Sequence, residues 1–210
     1  KLFRDGYYSE AYRLASNHGQ TGGESFAEAE WLSGWIALRF LNEYRSSFTH
    51  FTNIYRVARY PISRARGAYW AARSAQAMGA RSTQSRWFRT ASQYLTTYYG
   101  QLAAENVSGR RPLAFPKQPE PQQAIAQELE ANPLTQVARL LQEVGAKKHI
   151  NSFILQLANQ ADTPEAYAWL ADFALSLNRP DLAIKITKQA QRKNISLFVR
   201  GYPILDLPNE

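Results

Sequence analysis

The chain has 210 residues, 45% hydrophobic and 20% charged, with 11 Gly and 10 Pro; this excludes disorder and the collagen-like and low-complexity classes and suffices for one large domain or two small ones. No apolar run reaches the roughly 18–20 residues of a membrane-spanning helix, and the absence of Cys removes disulfides, thiolate metal sites and thiol catalysis. The net charge of +8 is uneven: residues 1–121 carry 16 Lys and Arg against 8 Asp and Glu, residues 122–210 carry 9 of each, and no acid occurs from 44 to 104.

Taken in chain order, the apolar spacing predicts helices throughout. The first covers about 7–17. In the next, Phe26 to Leu38, Trp31, Trp35 and Leu38 recur at i, i+4, i+7, with Ala27 and Gly34 widening the stripe. Gly22 and Gly23 read as a loop before it, with Ser25 as N-cap and Glu28 as its partner three residues on. Glu24, the one acid followed by Ser and an aromatic, is assigned to this helix start rather than to acid catalysis. Stripes then run over 44–58, 62–78 and 82–106. Pro112, Pro116, Pro119 and Pro121, beside Gly109, Arg110 and Arg111, make 109–121 an extended connection between two folded parts. Beyond it the stripes cover 123–131, 134–144, 149–160, 165–177 and 181–193.

Punctuation agrees with these elements. Pro61, Pro133, Pro164 and Pro180 each fall in a first helical turn, where a missing amide hydrogen costs little; Asn132 and Thr163 are N-cap residues, and Gly79 and Gly145 follow stripes where a left-handed C-cap is needed. No segment alternates as a strand does. Trp31 to Trp35 aligns with Trp70 to Ser74 at an offset of 39 and with Trp169 to Phe173 at 138, each followed by a turn and a second stripe. The fold class is therefore all-α, a right-handed α-superhelix of helical hairpins, tetratricopeptide-like with irregular repeats.

His18, His50 and His149 lack the i, i+3 or i, i+4 spacing of a shared metal, and there is no phosphate loop or nucleophile elbow. No catalytic, cofactor-binding or metal residue is assigned. Arg56, Arg59, Arg64, Arg66, Arg73, Arg81, Arg86 and Arg89 form a basic set suited to an anionic polymer. Aromatic residues beside them would stack on bases, but no nucleic-acid motif accompanies them. Trp31, Trp35, Trp70, Trp87 and Trp169 are expected to pack between helices, although such rings also stack on sugars. Asn106 and Asn194 head glycosylation-type triplets to which no function is given.

The run from Ile62 to Gly79, then Trp87 and Phe88, then Tyr94 to Glu105 with its Tyr98-Tyr99-Gly100-Gln101-Leu102-Ala103 stretch, resembles the superhelical region of soluble lytic murein transglycosylases, as does Phe26 to Phe40. The resemblance implies a division into 1–108, the last hairpins of a U-shaped domain; 109–130, a crossing segment; 131–200, a helical linker domain; and 201–210, a tail leading to a catalytic domain. In that family the catalytic domain cleaves peptidoglycan glycan strands without water. Its Arg-Gln-Glu-Ser and Gly-Leu-Met-Gln motifs are absent here, so no catalytic residue carries over. The expectation is a periplasmic, non-catalytic fragment, inactive alone, with peptidoglycan as partner. The alternative is a freestanding helical-repeat adaptor that holds a protein partner.

Overall fold

The structure, a computed structural model, describes residues 2–109, 115 and 117–204. Lys1, residues 110–114 with their basic pair and Pro112, Pro116, and the tail 205–210 lie outside the described residues. All regular structure among the described residues is helical. The chain forms two compact units, Lys1–Phe115 and Pro116–Glu210.

The first unit contains α1 (Tyr8–Ser16), α2 (Gly23–Ile36), α3 (Tyr44–Val57), α4 (Pro61–Ala77), α5 (Arg81–Ser92) and α6 (Tyr98–Ser108). Consecutive helices pack against one another. Their close approach is made by small residues set against α3. A Cβ on Gly34 would stand 2.9 Å from the Phe51 ring, and one on Gly67 would stand 2.8 Å from the Phe51 carbonyl oxygen and 2.9 Å from the Tyr55 nitrogen. Phe51 and Ile54 are fully buried between α2 and α4; burial of side chains of this size contributes about 1.5–3 kcal/mol each.

Two expectations need correction here. The stripe 82–106 is not one helix: α5 ends at Ser92 and α6 begins at Tyr98. Thr97 Oγ1 donates to the Tyr94 carbonyl at 2.8 Å and accepts the Gly100 N–H at 3.1 Å, an N-cap that the apolar spacing conceals. A Cβ at Gly100 would lie 1.9 Å from the Tyr94 oxygen, so this turn admits only glycine there. The second correction concerns α2, which starts three residues early. Its N-cap is Gly22, with no capping side chain, so Ser25 lies inside the first turn and Glu28 instead pairs with Arg66 at 2.5 Å. The other punctuation holds: Pro61, Pro133, Pro164 and Pro180 each open a helix, Asn132 and Thr163 cap their helices, and Gly79 and Gly145 have φ of 71° and 74°.

After α2 the backbone loosens into a π turn, Ala37–Leu41, which ends at Asn42 with φ of 57°. Such turns add a residue to the helix and re-aim the side chains that follow. Arg39 sits inside this one.

The second unit contains α7 (Gln123–Ala131), α8 (Pro133–Glu143), α9 (Lys147–Gln160), α10 (Pro164–Ser176), α11 (Pro180–Arg192) and the short α12 (Phe198–Gly201). Its core is formed by Ile150, Ile154, Leu157, Tyr167, Leu170, Leu182 and Ile186, with Ile125 and Leu129 of α7 packed against it. Arg200 ties the ends of this unit to α10. Its guanidinium reaches both Asp172 oxygens at 2.7 and 2.9 Å, the Pro119 carbonyl at 3.1 Å and Glu120 at 2.9 Å.

Candidate functional site

Trp31 and Trp35 lie one turn apart on α2 and stack, with ring centroids 5.4 Å apart and planes 15° apart. On α4, Arg66, Trp70 and Arg73 share a face through spacings of four and three. The two rows meet side chain to side chain. Arg66 lies over Trp31 at 5.5 Å, Trp70 meets Trp35 edge-on at 4.8 Å, and Arg73 stands 5.9 Å from the Trp70 ring. Arg39, from the π turn, covers Trp35 at 5.4 Å. The result is an alternation of guanidinium and indole, each guanidinium within 5.9 Å of an indole centroid, where the negative face of the ring attracts a cation.

These arginines are not equivalent. Arg66 is neutralised by Glu28, and Arg64 lies 4.5 Å over Tyr55, whose hydrogen bond raises the guanidinium pKa further. Burial, reinforced by Tyr55, pushes the neighbouring Tyr94 hydroxyl up to about 12. Arg73 gives one N–H to Tyr69 at 3.1 Å. Among the described residues neither Arg39 nor Arg73 has an acidic partner. Arg56, Arg59, Arg81, Arg86 and Arg89 are exposed on α3, the α3–α4 connection and α5, outside this row. Trp87 packs edge-on with Phe48 and Tyr55, and Trp169 stacks on Phe173 within the second unit. Packing thus accounts for most of the tryptophans, as their spacing predicts. The indole nitrogens of Trp31, Trp70 and Trp87 are nevertheless buried without hydrogen-bond partners.

Beside this row lies a polar cluster that sequence spacing does not reveal. Glu30 is 5% exposed, the one buried carboxylate among the described residues. Its Oε1 accepts from His18 Nε2 at 3.1 Å; its Oε2 accepts from His50 Nδ1 at 2.9 Å and from Asn53 Nδ2 at 3.1 Å. The tautomers follow from the outer contacts. The Gln20 N–H donates to His18 Nδ1 at 3.0 Å, leaving the proton on Nε2, and His50 Nε2 faces the Tyr12 hydroxyl at 3.0 Å. Burial works to raise the Glu30 pKa, but the hydrogen bonds from His50, His18 and Asn53 outweigh it, and the carboxyl titrates below its ordinary range. Burial pushes the Tyr12 hydroxyl up, opposed by a hydrogen bond with Ser46.

His18 and His50 are therefore close in space although 32 positions apart. They still do not make a metal site: the ring nitrogens that face Glu30 carry protons, and the lone pairs point outward to Gln20 and Tyr12. Among the described residues no group of three His, Asp or Glu is arranged to hold a metal ion. The signal that would have identified Glu30 is its position: it lies between Ala27 and Gly34 on the apolar stripe, where an unpaired carboxylate would be costly. Glu24, by contrast, lies exposed in the first turn of α2.

No protein-family model matches this chain, and neither a curated protein nor a solved structure matches it.

Proposed function

We propose that the chain is a non-catalytic helical scaffold of a periplasmic lytic transglycosylase, its hairpins stacking as a right-handed superhelix, and that it positions the enzyme on peptidoglycan. The observation that carries this reading is the row of Trp31, Trp35, Trp70, Arg39 and Arg73, two guanidiniums without acidic partners beside indole rings, of which Trp70 and Arg73 come from the stretch 44–104 that lacks acids. Peptidoglycan presents sugar rings, which stack on indoles, and peptide stems bearing carboxylates, which guanidiniums take in bidentate fashion. The likeness of residues 62–105 to the superhelical region of that family points the same way.

Glu30 supports the non-catalytic part. A glycan-cleaving general acid needs a carboxyl held protonated by a raised pKa. Glu30 is the opposite case, surrounded by donors that keep it ionised.

Cosedimentation of the purified 210 residues with sacculi across a salt series tests the reading. Retention at about 50 mM salt that weakens several-fold by about 300 mM is expected, since exposed charges are screened over a Debye length of about 10 Å at 0.1 M. No anhydro-muropeptide should be released. Failure to bind at low salt, or release of anhydro products, would overturn the proposal.

A further inference from the structure

A cavity of ≈ 280 Å³ opens where the π turn meets α3 and α4, lined by Leu38, Arg39, Tyr44, Trp70, Arg73 and Gln76. It is built by identifiable features. The π turn places Arg39 in the cavity lining. The Trp35–Trp70 contact holds both guanidiniums, Arg39 against one ring and Arg73 against the other. Tyr44 donates its hydroxyl to Asn42 Oδ1 at 3.1 Å, leaving its lone pair toward other donors. Among the described residues no acid lines the cavity and neither arginine is paired with one. Two unneutralised forks of N–H donors therefore share one small concavity with an indole, an aliphatic wall at Leu38 and a side-chain amide at Gln76.

We infer that this cavity binds a carboxylate carried on a short apolar stem, specifically the free carboxylate of a peptidoglycan peptide stem, an inference that rests on the scaffold reading above. The charge selects an anion; the planar guanidinium matches the planar carboxylate. The indole and Leu38 favour an anion bearing an apolar substituent over a bare, strongly hydrated phosphate. Arg39 and Arg73 grip the carboxylate, Gln76 donates to it from the rim, and Trp70 forms the wall on which the stem lies.

Isothermal titration of the whole chain with a muramyl tripeptide bearing free carboxylates, and with the same molecule amidated, tests this. The free acid is expected to bind, and the amide to bind at least about tenfold more weakly. Arg39→Gln and Arg73→Gln should each weaken the free acid by about tenfold or more, whereas Arg86→Gln, which removes the same charge from exposed α5, should change it less than about twofold. Arg39 is exposed, so its substitution tests the site even if the Arg73 variant folds poorly. Equal binding of the amide, an Arg86→Gln effect as large as that of Arg39→Gln, or displacement of the tripeptide by inorganic phosphate at equal concentration would overturn the inference. The sacculus assay separates the two readings. Sacculus retention unchanged in a chain carrying both Arg39→Gln and Arg73→Gln defeats the cavity and leaves the scaffold reading to rest on the indoles and the remaining basic charge; tripeptide binding that depends on both arginines, without sacculus retention, does the reverse.

Discussion

At the scale of a single residue, Glu30 shows how a buried charge can be tolerated. Its desolvation is offset by three donors on two oxygens, with the histidines fixed from outside by the Gln20 amide and the Tyr12 hydroxyl. Glu30→Gln keeps the shape but turns one carboxylate oxygen into an N–H₂ group facing a ring N–H. We expect a loss of about 2–3 kcal/mol in urea denaturation, the cost of leaving buried donors unmatched, and about 1 kcal/mol for Asn53→Ala, which removes one donor. The pH dependence has a definite sign. Because the folded pKa lies below the unfolded value near 4.5, the unfolded chain binds the proton more readily, and stability rises with pH. The Glu30 contribution is complete above about pH 5 and is lost as pH falls through the depressed folded pKa. Denaturation midpoints of wild type and Glu30→Gln should therefore converge on acidification below pH 4.5; a constant difference would mean that Glu30 is not ionised in the native state.

At the scale of the element, glycine decides how closely helices approach. Gly67→Ala would gain about 1 kcal/mol of helix propensity, yet its Cβ would press on the Phe51 oxygen at 2.8 Å and the Tyr55 nitrogen at 2.9 Å, both backbone atoms of α3 that cannot yield alone. Overpacking of this kind costs about 1–3 kcal/mol, so a net destabilisation is expected. Gly79→Ala meets no atom within 4 Å and loses only about 1 kcal/mol from its φ of 71°. Thermal melts of the two variants check the ordering. The helices themselves are legible in the sequence because their apolar period and proline and glycine punctuation are local. What is hidden is tertiary: Tyr94 and Leu95 continue the stripe of α5 up to the Thr97 cap and Tyr98 and Tyr99 resume it beyond, the π turn keeps the spacing of Trp31, Trp35 and Leu38, and the partners of Glu30 come from 12, 20 and 23 positions away. The arginine set was visible as composition, but only packing distinguishes Arg66, neutralised by Glu28, from Arg73, which has no acid.

At the scale of the whole molecule, charge and structure divide at nearly the same place. The unit Lys1–Phe115 carries 15 Lys and Arg against 7 Asp and Glu, and the unit Pro116–Glu210 carries 10 of each. Each unit has its own buried cluster: Phe51, Ile54, Phe88 and Tyr69 in the first, Tyr167, Leu170, Ile154 and Ile186 in the second. Expressed separately, both are expected to give helical circular dichroism and a cooperative melt, because neither core borrows its main side chains from the other. Polymer attraction should go with charge rather than with helix content. Residues 1–115 alone should be retained on sacculi at low salt and released as salt rises, while residues 116–210, equally helical and without net charge, should stay in the supernatant at every salt concentration. If instead the neutral unit is retained and the basic one is not, stacking or shape rather than charge draws the chain to its polymer, and the guanidinium row serves only to pack α2 against its neighbours.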